Sequence, residues 1–270
     1  MITSSRVRAF AALLVTLGAL TGHAQNAPAT GWSLDLGVGA IVNPEFQGGD
    51  EYQVRPIPFF DARYSDARGE LLFANVPQGI GGYLYRNTTA PGFSTRIGMA
   101  IGPGFATRDD EIPGLDDVDI ATEARIFLQV NRGGWAGSAR LAQDLGTGHE
   151  GAYLDLGIDR RGRLGNRGFW TLGPSIRIVD ADYADSQYGV DARSAVAAAL
   201  APHDAGSGVE QVSLQGLVSV PMGKVWRFTS VVSVGRLVGD RGDSPIVQNK
   251  TQGFALMAVT RPVGRRAPSP

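Results

Sequence analysis

Lys224-Val225-Trp226-Arg227-Phe228-Thr229-Ser230-Val231-Val232-Ser233-Val234-Gly235-Arg236 is the stretch that decides the fold. One parity reads Trp226, Phe228, Ser230, Val232, Val234. The other reads Val225, Arg227, Thr229, Val231, Ser233. A β-strand turns these two sets to opposite faces. One face suits lipid and the other suits water or a polar lumen. About a dozen segments of this kind follow an apolar leader. Together they predict an all-β, antiparallel transmembrane barrel of outer-membrane type.

The leader runs from Met1 to about Ala24. Arg6 and Arg8 form its positive end, and an apolar run covers residues 10–20. Gly22-His23-Ala24 places small residues where a signal peptidase reads, so cleavage before Gln25 is expected. The run is too short for the ~20 residues of a spanning helix. No long apolar run occurs in the rest of the chain. Any crossing must therefore be made by strands, whose backbone groups are satisfied only in a closed barrel. The chain has 0 Cys, so neither a disulfide framework nor a thiolate metal site exists. The net charge of -1 gives no nucleic-acid signal.

Twelve strands are expected, at 31–42, 53–64, 69–76, 80–87, 92–105, 119–131, 134–145, 150–160, 168–180, 208–220, 224–238 and 251–261. An even number is what a single-chain barrel of this type requires. The connections alternate between short turns and longer loops. Residues 65–68, 87–91, 132–133, 161–167 and 221–223 are tight and mostly rich in Gly, Pro, Asn or Asp. Residues 43–52, 106–118, 181–207 and 239–250 are longer and charged, whereas the connections near Pro77 and Gly148 are short. Trp32, Trp135, Trp170 and Trp226 each lie near the start of a strand leaving the short-turn side. They are expected at one depth, as an interfacial aromatic girdle. Four unrelated core tryptophans of a soluble sandwich would have no reason to share that end.

The polar parity collects Asp35, Arg96, Glu123, Arg125, Arg140, Asp155, Asp159, Arg177 and Arg227. Facing lipid at mid-depth, an Arg would cost about 2–4 kcal/mol. Facing inward, mixed Arg and carboxylate side chains pair. Two readings stay open: an ion-pair network that holds the barrel's shape, or a narrow pathway whose charges tune selectivity.

Four phrases, in order along the chain, resemble the MipA/OmpV family of outer-membrane proteins. They are Phe46-Gln47-Gly48-Gly49-Asp50-Glu51-Tyr52-Gln53-Val54-Arg55-Pro56-Ile57-Pro58, then Gly114-Leu115-Asp116-Asp117-Val118-Asp119. Ala181-Asp182-Tyr183 with Tyr188-Gly189-Val190 follows, then Arg236-Leu237-Val238-Gly239-Asp240 with Asp243-Ser244-Pro245-Ile246-Val247. Phe46 replaces the family's usual Tyr. The resemblance implies an outer-membrane barrel. Its namesake is similar to a scaffold bridging a lytic murein transglycosylase and a murein-synthesising penicillin-binding protein. Other relatives are described as osmotically regulated or antibiotic-responsive. The C-terminus departs from the pattern, since residues 260–270 end in Pro and Arg rather than in an aromatic residue.

Catalytic chemistry is weighed and set aside. After the leader only His149 and His203 remain as imidazole bases, and no Ser stands beside either in sequence. His149 is expected to be an exposed loop histidine. The acidic run at residues 109–119 offers oxygens for a hard cation but lacks the spacing of a helix-loop-helix calcium site. Arg241-Gly242-Asp243 matches an adhesion tripeptide, a match that arises often by chance.

These readings converge on a leader (1–24), one barrel domain (25–261) and a disordered, periplasmic C-terminal tail (262–270). No catalytic residue, cofactor or metal is expected. The expected partners are outer-membrane lipid and lipopolysaccharide and, through the resemblance, the two classes of murein enzyme. A scaffold is the leading function, a narrow porin-like or stress-responsive channel the alternative, and an outer-membrane hydrolase the third reading.

Overall fold

The computed structural model describes residues 30–76, 78–90, 92–108 and 111–263. The expected leader and residues 264–270 of the expected tail lie outside them. The strands are β1 (Gly31–Pro44), β2 (Tyr52–Asp66), β3 (Gly69–Asn75), β4 (Gly79–Ala90), β5 (Phe93–Gly104) and β6 (Ala121–Arg132). The second half adds β7 (Trp135–Asp144), β8 (Ala152–Leu164), β9 (Gly168–Val179), β10 (Gly208–Met222), β11 (Trp226–Leu237) and β12 (Thr251–Pro262). Each pairs antiparallel with its sequence neighbours, and β1 pairs with β12 to close the barrel. Closure matters because a strand edge left open in hydrocarbon would strand a row of backbone polar groups.

Closure also reaches further along the chain than expected. Pro262 stands opposite Asp35 as the last residue of β12 instead of the first of the tail. Proline has no N–H to give, but the next residue supplies one, since Val263 N–H donates to Leu34 O at 2.8 Å. On the turn side the connections are residues 67–68, 91–92, 133–134, 165–167 and 223–225, three of them shorter than expected and the other two shifted by one or two residues. The expected turn at 161–167 is shorter because β8 continues through Leu164. At the tightest hairpin Arg132 opposes Trp135 across Gly133-Gly134, and Gly133 takes φ 58, which a bare α-carbon adopts without strain.

The other end differs from the sequence reading. The long connections are loops by sequence, yet two of them carry three short helices: α1 (Ala181–Tyr188), α2 (Ala192–Ala198) and α3 (Gly239–Asp243). The first two start on aspartate caps. Asp180 accepts from Tyr183 N–H, and Asp191 accepts from Arg193 and Ser194 N–H. Each cap satisfies donors that the first helical turn cannot satisfy internally.

Face parity follows the alternation. In β11 Trp226, Val232 and Val234 are exposed outward, while Thr229, Val231, Ser233 and Leu237 are buried inward. The interior is not uniformly polar. Ile41, Ile57, Leu217, Val231, Phe254, Leu256 and Ala258 pack together on the wall made by β10–β12, β1 and β2. The charged residues concentrate on the remaining wall.

Val232 lies near mid-strand on the outer face and predicts a direct test. Val232→Arg should lower the stability of the barrel in lipid vesicles by about 2–4 kcal/mol, read from urea unfolding. An unchanged midpoint would mean that this face does not contact hydrocarbon.

Candidate functional site: the charged lumen and its cap

Strand register turns three separate charges into one ladder. Arg140 in β7 stands opposite Asp155 in β8, and Asp155 stands opposite Arg177 in β9. Arg177 Nε donates to Asp155 Oδ1 at 2.7 Å and its Nη2 to Oδ2 at 3.0 Å, while Arg140 also bonds Oδ2. All three side chains are buried. A β-bulge in β10 between Val209 and Gln211 then turns Glu210 inward, with Oε2 3.7 Å from Arg177 Nε. Without that extra residue, alternation would place position 210 on the opposite face from Gln211.

A second cluster lies beside the first. Glu123 accepts from Arg125 Nε at 2.8 Å, from Tyr153 Oη at 2.9 Å and from His149 Nε2 at 3.1 Å. The guanidinium of Arg177 sits 4.2 Å from the centroid of the Tyr153 ring, so the two clusters share one aromatic spacer. Arg125 also donates to the carbonyls of Gln78 and Pro103. Elsewhere in the lumen Arg63 pairs with Asp61 and lies 3.6 Å from Glu70. Arg96 sits over Tyr83 at 5.3 Å, and Arg227 donates to Ser219 Oγ at 3.1 Å. Asp35 holds an inward position opposite Asp61.

The loop-side end is covered by folded chain. Tyr183 and Tyr188 of α1 are fully buried, and they pack with Ala106, Ala142, Tyr153, Val179 and Leu237. Burial pushes both phenols well above their ordinary range, so they stay protonated. Tyr188 Oη lies 2.7 Å from Glu210 Oε1 and 2.6 Å from Gln47 Oε1. A second small core joins Phe46, Val190, Ala195 and Ile246, flanked by Ile112, Leu115 and Leu200. Four separate connections therefore meet in one cap.

Two buried arginines hold this cap by its backbone. Arg108 donates to the carbonyls of Gln187 at 3.0 Å, Asp116 at 2.9 Å and Ser186 at 3.3 Å, gripping the C-terminal end of α1. There the carbonyls lack helical partners and the helix dipole favours a cation. Burial pulls the pKa of the Arg108 guanidinium below its ordinary value. Arg241 donates to the carbonyls of Ala205, Gly206, Ser207 and Val209.

Several sequence expectations change here. His149 is not an exposed loop histidine: it is fully buried, 4.7 Å from the Tyr183 ring, and Gly151 N–H donates to its Nδ1. Nδ1 is thus the acceptor, and Nε2 carries the proton donated to Glu123. His203 lies against Asp240 O at 2.8 Å. The adhesion-like tripeptide cannot present its arginine, because Arg241 is buried against carbonyls. Asp109 and Asp110 of the acidic run lie outside the described residues. Among the described residues no three His, Asp or Glu side chains are grouped to hold a metal. Trp32, Trp135 and Trp226 are exposed, and Trp170 is half-buried. All four occupy the turn-side ends of their strands. Arg160 sits over Trp135 at 5.3 Å and Arg261 over Trp226 at 5.6 Å.

The two ends differ in charge. Arg68, Arg132, Arg160, Arg163, Arg167, Lys224 and Arg261 are exposed on the turn side. Asp50, Glu51, Asp116, Asp117, Asp182, Asp191, Asp204, Asp240 and Asp243 are exposed on the loop side.

A family model described as "MltA-interacting protein MipA" matches residues 36–262. No curated protein matches the chain. Among solved structures, OccK8 (OprE) of Pseudomonas aeruginosa shares 8% identity, with 87% of this chain and 98% of that chain covered and a TM-score of 0.30. Ail, the attachment invasion locus protein of Yersinia pestis, shares 6% identity, with 86% and 98% covered and a TM-score of 0.21.

Two substitutions test the network and the cap. Asp155→Ala leaves Arg140 and Arg177 facing each other in a buried site and should cost about 3–5 kcal/mol in urea unfolding. A loss no larger than that of an exposed ion pair, about 0–1 kcal/mol, would mean that water screens the ladder. Arg108→Ala should leave the barrel folded but expose residues 180–207 to limited proteolysis. Equal cleavage rates for the two proteins would show that Arg108 does not hold α1.

Proposed function

We propose, from the premise that this chain belongs to the MltA-interacting protein MipA family, that it is a non-catalytic scaffold. It sits in the outer membrane and gathers cell-wall enzymes at its periplasmic, turn-side face. The supporting observation is the contrast between the two ends of an outer-membrane-type barrel. Four connections pack together at the loop side, whereas the turn side presents exposed cations with few acidic neighbours. In barrels of this type short turns face the periplasm. A basic rim there suits anionic lipid headgroups and an acidic protein surface alike. The stacking of Arg160 and Arg261 on girdle tryptophans holds two of these cations near the membrane boundary. The partners proposed are a lytic murein transglycosylase, the class the family's description points to, and a murein-synthesising penicillin-binding protein. Export through the leader at residues 1–24 would deliver the chain to this site.

The lumen supports a structural role for its charges. Asp155, Arg177, Glu123 and Arg125 are consumed in pairs and backbone contacts. A channel that selected ions would keep such groups hydrated along a pathway.

Crosslinking in intact cells followed by purification from the outer membrane tests the reading. A murein transglycosylase or synthase should be recovered. Changing Arg160, Arg163 and Arg167 together to Gln should reduce that recovery about tenfold, and added salt should do the same. If no cell-wall enzyme were recovered and planar-bilayer recordings showed discrete conductance steps, the narrow-channel reading would replace this one.

A further inference from the structure

The ring of strands is closed, but its wall is uneven in height. At the girdle Trp32 stands opposite Tyr64, and Tyr64 stands opposite Leu72 in β3. β3 then ends at Asn75, opposite Asp61. It has 7 residues, fewer than the roughly 9–11 of a strand that crosses a bilayer. β4 starts from the same level, with Gly79 opposite Asn75. β2 continues past this hairpin from Phe60 to Tyr52, paired with β1 throughout. Among the described residues no strand pairs with its other edge there. Beyond the hairpin tip, β2 and β5 are separated by three strand spacings, roughly 14 Å.

The rim of this notch is held in place. Gln78 N–H at the hairpin tip donates to Asn75 Oδ1 at 3.1 Å, and Arg125 Nη1 donates to Gln78 O at 2.9 Å. The open edge is also prepared for hydrocarbon. Glu45 N–H donates to Glu51 O at 3.1 Å, one step past the Pro44↔Tyr52 pair. Hydrogen-bonded pairs alternate along an antiparallel ladder, so the odd-numbered residues of β2 bond to β1. The even-numbered residues turn their backbone groups to the other edge, where Ala62 and Tyr64 meet β3. Pro56 and Pro58 hold even positions in the stretch that β3 does not reach, and proline has no N–H to leave unpaired there. An incoming strand would find two of its donors missing.

We infer that the barrel wall opens sideways between β2 and the β3–β4 hairpin, and that an acyl chain of a bilayer lipid fills the opening. The flanking outward side chains Val54, Phe60, Ile80 and Ile101 are apolar and exposed. Phe59 faces inward at the same level, half-buried, against the apolar wall that includes Ile57 and Ile41. A lipid tail asks for no hydrogen bond, and it meets apolar side chains on both flanks of the notch. The inference rests on the barrel's place in a membrane and not on the scaffold reading.

Photolabelling tests it on the full chain folded into phosphatidylcholine vesicles that contain a phosphatidylcholine with a diazirine-bearing acyl chain. Labelled residues are mapped by mass spectrometry. Phe127 and Phe169 are the controls, since both are half-buried and inward on strands paired along both edges. Phe59 should be labelled about tenfold more than either, because a fully paired wall keeps lipid out. Pro56→Val with Pro58→Val returns two donors to the open edge, and chemical crosslinking of the vesicles should then yield dimers that the unchanged protein does not form. Heat-modified gel migration establishes that the double variant is folded. Equal labelling of the three phenylalanines overturns the opening. Dimers of the unchanged protein with Phe59 protected would mean that a second copy covers the notch, which overturns the lipid. A folded double variant that stays monomeric overturns the role given to the prolines.

Discussion

The structure depends on one constraint: a backbone that crosses hydrocarbon must satisfy every N–H and C=O within itself. Twelve strands meet it by pairing in sequence order and then pairing β1 with β12, from Asp35↔Pro262 to Val42↔Ala255. Once the ring is closed, the two-residue period of a strand leaves each side chain only two destinations. Apolar residues such as Val232 and Leu214 go outward, and charges such as Arg125 and Asp155 go inward.

Closure alone does not say what the inward charges do. Pairing register decides that. Because Arg140, Asp155 and Arg177 occupy matched positions on three neighbouring strands, a guanidinium lies on each side of one carboxylate. The bulge at Glu210 adds a second carboxylate that alternation by itself would have sent elsewhere. Dehydrated charges are expensive, so a network of this kind holds only while its partners are complete. It ties the barrel wall to the cap, since Tyr188 of α1 donates to Glu210. The barrel and the covering connections thus behave as one packed unit on the loop side. An apolar wall lines the lumen on β10–β12, β1 and β2, and the Arg63–Asp61 pair and the Phe73, Tyr83 and Phe127 rings lie elsewhere in it.

The cap also gives a physical reason for the phrases that mark the family. Phe46, Leu115, Val190 and Ile246 come from four separate phrases and pack in one small core. Arg108 and Arg241 anchor the intervening backbone by its carbonyls. The tripeptide beginning at Arg241 looks like a surface motif in one dimension. In three dimensions it is a clamp on the chain entering β10.

Much of the barrel was legible in the chain itself. Period-two alternation is local, so strand number, outward face and the side of each turn follow from residues such as those at 224–236. The four tryptophans could be placed at one end because their distance from the nearest turn is also local. The capping aspartates Asp180 and Asp191 were available signals for α1 and α2, but residues 181–207 lack the apolar periodicity that would have supported them. His149 could not be placed. Nothing near it in sequence shows that Glu123 and Tyr153, on two strands β6 and β8, would close around its ring. The pairing of Asp155 with two arginines and the turning of Glu210 arise from register and a bulge. Those are relations between distant segments. The sequence by itself determined a twelve-stranded barrel with a lipid face and a charged interior, because each strand carries that information locally. Only the tertiary structure decided which charges pair and how the loops pack together at one end, because contacts between distant segments set those outcomes.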